Sequence, residues 1–411
     1  RCQSDGMIFR KTASLRSRPP ALMVLIAVSM LQPVAINMYV PSLPGMERAL
    51  STDATSIQLT ITVYLIATAV GQIIMGPLSD RFGRRPVLLA GLSLFVLGSI
   101  ACALATSIGM LLLARMLQAF GACAGLSLAR AIVRDTSGSA ASAGRIGYLN
   151  MGMAIAPVFA PAIGGLLDQA YGWRASFDLM TVMGVIVLTY AFVALGETRP
   201  LTGVASSFRT WLSSSARLLS LRTFWIFAGT LMLLSSMFFA LVSGGPYVAI
   251  KILGVSPGAF GFYLMPMVLG YICGNFVTGR FGASIGIGRM ITIGNFLTLL
   301  GLFLAIGLYL AGFVHPLALF GPMVFTGLGN GFSLPNAIAG AVSVEPDLAG
   351  AASGVAGALQ VGGGAIATVV VGRLFDTAAL AGTPWPMFIP MIFGGVSALI
   401  VGFFARSRLL Q

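Results

Sequence analysis

Gly76-Pro77-Leu78-Ser79-Asp80-Arg81-Phe82-Gly83-Arg84-Arg85-Pro86 is a charged, glycine-bearing turn set between two long apolar stretches. Three arginines and an aspartate within so few residues are too costly to hold in hydrocarbon, so the turn must lie at a membrane face and join two spanning helices. That reading agrees with the whole composition. Of 411 residues, 57% are hydrophobic and 9% charged, and the mean hydropathy is +0.95. A water-soluble chain of this size could not cover its surface with so few polar groups, so the bilayer is its solvent.

The formal net charge of +13 raises the question of nucleic acid. A nucleic-acid binder gathers Lys and Arg on one water-facing patch, whereas here they fall in short interruptions between apolar runs. No nucleic-acid partner is expected. The four cysteines, Cys2, Cys102, Cys123 and Cys273, have no metal-like spacing, and three of them lie in apolar runs, where small buried side chains are expected. No cofactor, metal or disulfide is expected. An intramembrane enzyme would cluster His, Asp, Glu or Cys at membrane depth, and no such cluster exists.

A span needs about 20 apolar residues, and twelve stretches qualify. They fall at 20–41, 55–78, 86–106, 108–133, 142–167, 175–196, 222–249, 256–278, 288–311, 316–342, 348–374 and 385–405. The fold class is therefore all-α, twelve transmembrane helices in two six-helix halves. The halves are 20–196 and 222–405, with a tail at 1–19, a serine- and arginine-bearing linker at 197–221 and a second tail at 406–411. With both termini inside, 19 of the 24 basic residues face the cytoplasm and four face out, which leaves Arg115 within a span. Arg1, Arg10, Lys11, Arg16 and Arg18 precede the first apolar run, so that run reads as a signal anchor retained as the first span. Arg81-Phe82-Gly83 recurs as Arg280-Phe281-Gly282 after the eighth span. Parallel halves of this kind place a substrate cavity between them near the bilayer midplane.

Several further motifs narrow the family. The loop at 76–86 resembles the one between helices 2 and 3 of the major facilitator superfamily. Asn37-Met38-Tyr39-Val40-Pro41-Ser42-Leu43-Pro44 resembles the first-helix signature of the Bcr/CflA drug-resistance transporters, except that Asn37 stands where that family has aspartate. Arg115-Met116-Leu117-Gln118 and the run Gly152, Pro157, Pro161, Gly164 and Gly165 resemble the family's fourth-helix and antiporter motifs. The resemblance implies secondary active efflux of drugs or antibiotics by alternating access, coupled to proton entry, in the inner membrane of a bacterium by a monomer. The same departure opens a second reading, export or facilitation of polar or anionic metabolites with weakened proton coupling.

Site residues follow from these readings. Gly76, Asp80, Arg81, Gly83, Arg84 and Arg85 are expected to hold a gate at the inner face through ion pairs and helix-end contacts across the halves, and Gly152, Pro157, Pro161, Gly164 and Gly165 to let helices pack and bend. Arg115 is the one charge at depth, and with Asn37 and Gln118 it is a candidate substrate-binding residue: either it binds an anionic or strongly polar substrate directly, or those two amides and water screen it. Tyr39, Met153 and Phe239 are expected to line an adaptable apolar cavity, and Asn150, Asn330 and Gln360 to supply its polar groups. Asp178, in the first turn of the sixth span, is the candidate proton-coupling carboxylate, provided burial raises its pKa. The lone histidine, His315, is expected at an interface.

Overall fold

Without water to satisfy backbone N–H and C=O groups, a chain this apolar can cross a bilayer only as helices or a closed barrel, and its long unbroken runs choose helices. The computed structural model of the protein describes residues 22–136, 139–198, 215–345, 348–380 and 382–408. It has twelve helices long and apolar enough to span. They are α1 (Leu22–Ala49), α2 (Ala54–Phe82), α3 (Arg84–Ala103), α4 (Ile108–Val133), α5 (Met151–Tyr171), α6 (Arg174–Ala194), α7 (Arg222–Ile252), α8 (Pro257–Gly282), α9 (Ile287–Leu310), α10 (Pro316–Ser343), α11 (Ala351–Phe375) and α12 (Trp385–Phe403). No strand occurs among the described residues. The tail at 1–19 and most of the linker, 199–214, lie outside them.

The first span is longer than its hydropathy suggests. Its regular helix ends at Asn37, passes through a 3-10 turn at Val40–Ser42 and resumes as Leu43–Ala49. Pro41 and Pro44 stand at the break, each in the first turn of the short helical segment that follows, where a missing N–H leaves no helical bond unmade. At the start of α2, Asp53 accepts the Ser56 N–H at 2.6 Å. Those hydrogen bonds to Ser56 hold its carboxyl below the usual carboxylate range.

Glycine sets how closely helices approach. A Cβ on Gly98 would lie 2.5 Å from the Gln118 backbone nitrogen, and one on Gly121 would lie 2.5 Å from the Gly91 carbonyl oxygen, so α3 and α4 touch backbone to backbone. Large apolar side chains such as Leu113, Val193 and Phe393 are more than half exposed and face outward, as a lipid-facing surface requires. Cys102 and Cys123 are buried as expected, but Cys273 is exposed. His315 accepts the Leu317 N–H on Nδ1 at 3.2 Å and so caps the start of α10.

The six N-terminal helices and the six C-terminal helices meet through α2 with α11 and α5 with α8. Polar contacts join them at the face opposite the 76–86 turn. Lys251 donates to both carboxylate oxygens of Glu47 at 2.8 Å. Thr55 donates its N–H to Asp376 at 3.1 Å and its hydroxyl to the same oxygen. Gln58 donates to the Ser243 carbonyl at 2.8 Å, and the Thr62 and Thr368 hydroxyls are 2.7 Å apart.

If the α3–α4 approach is set by glycine, Gly121→Val forces the helices apart at a cost of about 1–3 kcal/mol. Thermal unfolding of the detergent-purified protein should register that loss. Gly109→Ala, where a Cβ meets nothing within 4 Å, should leave the midpoint unchanged.

Candidate functional site

Arg115 on α4 is wholly buried, and no carboxylate is bonded to it. Its Nη1 donates to the Ala35 carbonyl at 3.1 Å and to Gln118 Oε1. The Ala35 oxygen lies in the last turn before the α1 break, where carbonyls run out of helical partners and carry the negative end of the helix dipole. The guanidinium is sheathed by aromatic faces, 4.3 Å from the Tyr39 ring centre and 4.2 Å from that of Tyr64, with Phe177 at 5.9 Å. Nε and Nη2 have no hydrogen-bond partner and are covered by this sheath. A desolvated guanidinium between two tyrosines gains about 2 kcal/mol or more from each good face. Here π faces and a helix end take the place of a carboxylate.

The sheath is itself anchored. Thr60 donates its own hydroxyl to the Ile57 carbonyl at 2.6 Å, so the Tyr39 hydroxyl must donate to Thr60, at 3.0 Å. The Tyr64 hydroxyl reaches the Gln32 carbonyl at 3.4 Å. Gln118, also fully buried, donates through Nε2 to Ser99 on α3 at 2.8 Å and to the Met180 sulfur on α6 at 3.5 Å. Arg115 and Gln118 together therefore tie α1, α3, α4 and α6.

The arginine-to-amide bond expected between Arg115 and Asn37 is not made. Asn37 donates instead to the Pro33 carbonyl of its own helix at 2.7 Å, and Arg115 takes the nearer backbone oxygen of Ala35. Asp178 is exposed, because α6 turns Ser176, Phe177 and Met180 inward and leaves that position outside. The burial on which its proton-coupling role depends is absent. Arg174, one turn before it, stacks on Trp173 at 4.2 Å and donates to the carbonyls of Ala103 and Ala105 at 3.0 and 2.8 Å.

The charged turn forms a tight cluster inside the N-terminal half. Arg84 pairs with Asp80 at 2.7 Å and with Asp135 at 2.9 Å, and its N–H donates to Glu197 at 2.9 Å. The Arg85 N–H also reaches Glu197, at 3.3 Å, and its side chain donates to the Phe192 carbonyl at 2.9 Å. Glu197 thus caps α3 from beyond the end of α6. Gly83 is required there, with φ +98° and a Cβ position 2.5 Å from the Glu197 carboxylate. Arg81 stacks over Phe82 at 5.2 Å, and a Cβ on Gly76 would meet nothing within 4 Å. The partners of Arg84 all lie on one side of the seam, so its ion pairs bind α2, α3 and α4 to one another and do not bridge the halves as the sequence suggested.

The remaining candidates divide by helix. A Cβ on Gly152 would lie 2.6 Å from Ile26, and one on Gly164 would collide with the Met38 carbonyl, so both seat α5 on α1. Gly165 is closed against Pro257 of α8, and Pro157 and Pro161 lie within the same helix. Phe239 on α7 packs edge-on to Phe238 at 5.2 Å and against Gly364 of α11. Asn330 on α10 is buried with Oδ1 unpartnered, while Met153 and Gln360 are half-buried on α5 and α11. The Asn150 side chain lies outside the described residues. Sequence reading missed the contacts across the seam, although Thr55, Gln58 and Thr62 stand at the i, i+3, i+7 spacing of a single polar stripe on α2.

If the sheath holds Arg115, then Arg115→Lys, which keeps the charge but loses the planar fork and its stacking, should destabilise the protein by about 2 kcal/mol. Asn37→Ala, which removes one local hydrogen bond, should shift the unfolding midpoint far less. An Arg115→Lys midpoint equal to wild type would mean that the tyrosine faces contribute nothing.

A sequence profile described as Major Facilitator Superfamily matches residues 25–368. The chain is 38% identical over 282 residues to YdgK, an uncharacterised MFS-type transporter of Bacillus subtilis, covering 68% of this chain and 70% of that protein. It is 27% identical over 402 residues to a bicyclomycin resistance protein homolog of Haemophilus influenzae, covering 95% and 97%. Among solved structures, a D-xylose-proton symporter superposes with a TM-score of 0.77 at 15% identity, over 93% of this chain and 96% of that one. Twelve spans, a charged turn after the second that recurs after the eighth, and these matches lead to one conclusion: the chain is a multi-pass transporter of the major facilitator superfamily, similar to its Bcr/CflA-type members.

Proposed function

We propose that this transporter exports drugs or other small molecules by alternating access, as a proton-coupled antiporter in a bacterial inner membrane, with both termini cytoplasmic. The bicyclomycin resistance homolog supports the substrate class, and the count of basic residues supports the orientation. In that orientation the 76–86 turn is cytoplasmic, and the contacts Glu47–Lys251, Thr55–Asp376, Gln58–Ser243 and Thr62–Thr368 lie toward the outside. The observation that carries the reading is that this seam is polar and hydrogen-bonded. An apolar seam would resist wetting, whereas threonine, glutamine and carboxylate groups can exchange partners with water when the halves part. Closure at this seam makes the described state the one shut to the outside. The chain works as a monomer, since each half supplies one wall of the path, and its partners are a small-molecule drug, protons and the surrounding lipid.

A second reading is favoured by one observation. Asn37 cannot titrate and Asp178 is exposed, so the usual coupling carboxylate is missing. Export or facilitated passage of polar or anionic metabolites with weakened proton coupling accounts for that. Inverted membrane vesicles separate the two. If wild type dissipates a proton gradient on addition of chloramphenicol or bicyclomycin, antiport stands. If only Asn37→Asp does so, the natural chain runs uncoupled and the second reading replaces the first.

Closure at the outer seam also yields a direct test of alternating access. Thr62→Cys with Thr368→Cys, in a Cys273→Ser background, should form a disulfide on oxidation, because the two hydroxyls are 2.7 Å apart. Export should fall to background and return on reduction. Undiminished export by the crosslinked protein would exclude a moving seam.

A further inference from the structure

Among the described residues, Arg115 is the one charged side chain in the buried set; no Asp, Glu or Lys belongs to it. The described acidic residues are engaged at the two faces or lie exposed or half-buried near them. Asp80 and Asp135 hold Arg84, Glu345 holds Arg217, Glu47 holds Lys251, Asp376 holds Thr55, and Asp53 caps α2. Asp178 and Glu197 are exposed. Asp168 is half-buried one turn from the outer end of α5.

From this distribution we infer that the transport path selects uncharged substrates and rejects permanent cations, with Asn37 and Arg115 as the deciding residues. The inference rests on the export reading above and names its substrate class. A cation taken to the midplane sheds part of its hydration and needs a counter-charge at close range. Asn37 offers a dipole in place of a carboxylate, and Arg115 adds repulsion that low-dielectric surroundings strengthen. An organic anion meets a different obstacle. The guanidinium has zero exposure, its Nη1 is committed to Ala35 and Gln118, and Tyr39 and Tyr64 cover its faces, so an anion would have to break the tie between α1 and α4 to reach it. An uncharged solute pays neither penalty.

The test compares chloramphenicol, uncharged at neutral pH, with tetraphenylphosphonium, a permanent cation, by equilibrium binding to the purified full chain and by export from inverted vesicles. Wild type should bind and move chloramphenicol, and a hundredfold excess of tetraphenylphosphonium should not displace it. Asn37→Asp, which restores a carboxylate beside an otherwise unbalanced charge, should tighten tetraphenylphosphonium binding tenfold or more. Wild type that binds and exports both probes alike keeps the export reading and overturns the charge rule. Wild type that neither binds nor exports either probe overturns the export reading, and the charge rule with it. The wild-type comparison decides the matter even if Asn37→Asp fails to fold.

Discussion

A guanidinium enclosed within a membrane bundle must recover most of the hydration it gives up, and the N-terminal half is arranged around that demand. Arg115 does so without an anion: one helix end, one amide and two tyrosine faces share the task. Each contributor needs its own support. The helix end lies at the break in α1 where Pro41 and Pro44 stand, the amide is held by Ser99, and the tyrosines are fixed by Thr60 and the Gln32 carbonyl. Five of the six N-terminal helices, α1, α2, α3, α4 and α6, therefore meet around a single cation and its amide partner.

Much of the architecture could be read before any coordinates, for a physical reason. Hydrocarbon excludes charge, so the apolar stretches and the positions of Arg and Lys register the same constraint: the stretches number twelve, as the helices do, and the alternation of basic residues calls for an even count. The charged turn was legible because glycine at φ +98° and clustered arginines have few other uses. Side-chain pairing was not. Asn37 lies near Arg115 in sequence depth, but the direction of its side chain on the helix sends its hydrogen bond back to Pro33. The Arg84 pairings with Asp135 and Glu197 span 51 and 113 residues, and no periodicity links positions that far apart. Asp178 failed as a buried acid through helix phase: two positions away, Ser176 and Met180 face inward.

The two faces of the protein are built from different materials. Around the 76–86 turn, ion pairs weld α2, α3 and α4 into one body. Across the seam at the opposite face, bonds join α1 and α2 to α7 and α11, and a Lys–Glu pair and hydroxyls do most of the joining. The partly exposed Lys251–Glu47 pair is worth about 1 kcal/mol or less. The α3–α4 seam, by contrast, is packed backbone to backbone at its glycines.

The interruption in α1 has a mechanical consequence. The segment Leu43–Ala49 beyond it carries Glu47 to Lys251, while the segment before it ends at the carbonyl that receives Arg115. Only the short turn at Val40–Ser42 separates the two. Any displacement of the Leu43–Ala49 arm relative to α7 would therefore bear on the oxygen that steadies the arginine. The bent helix links the Glu47–Lys251 pair to the Tyr39–Arg115 stack, and so joins the rim to the centre of the N-terminal half within a single stretch of chain.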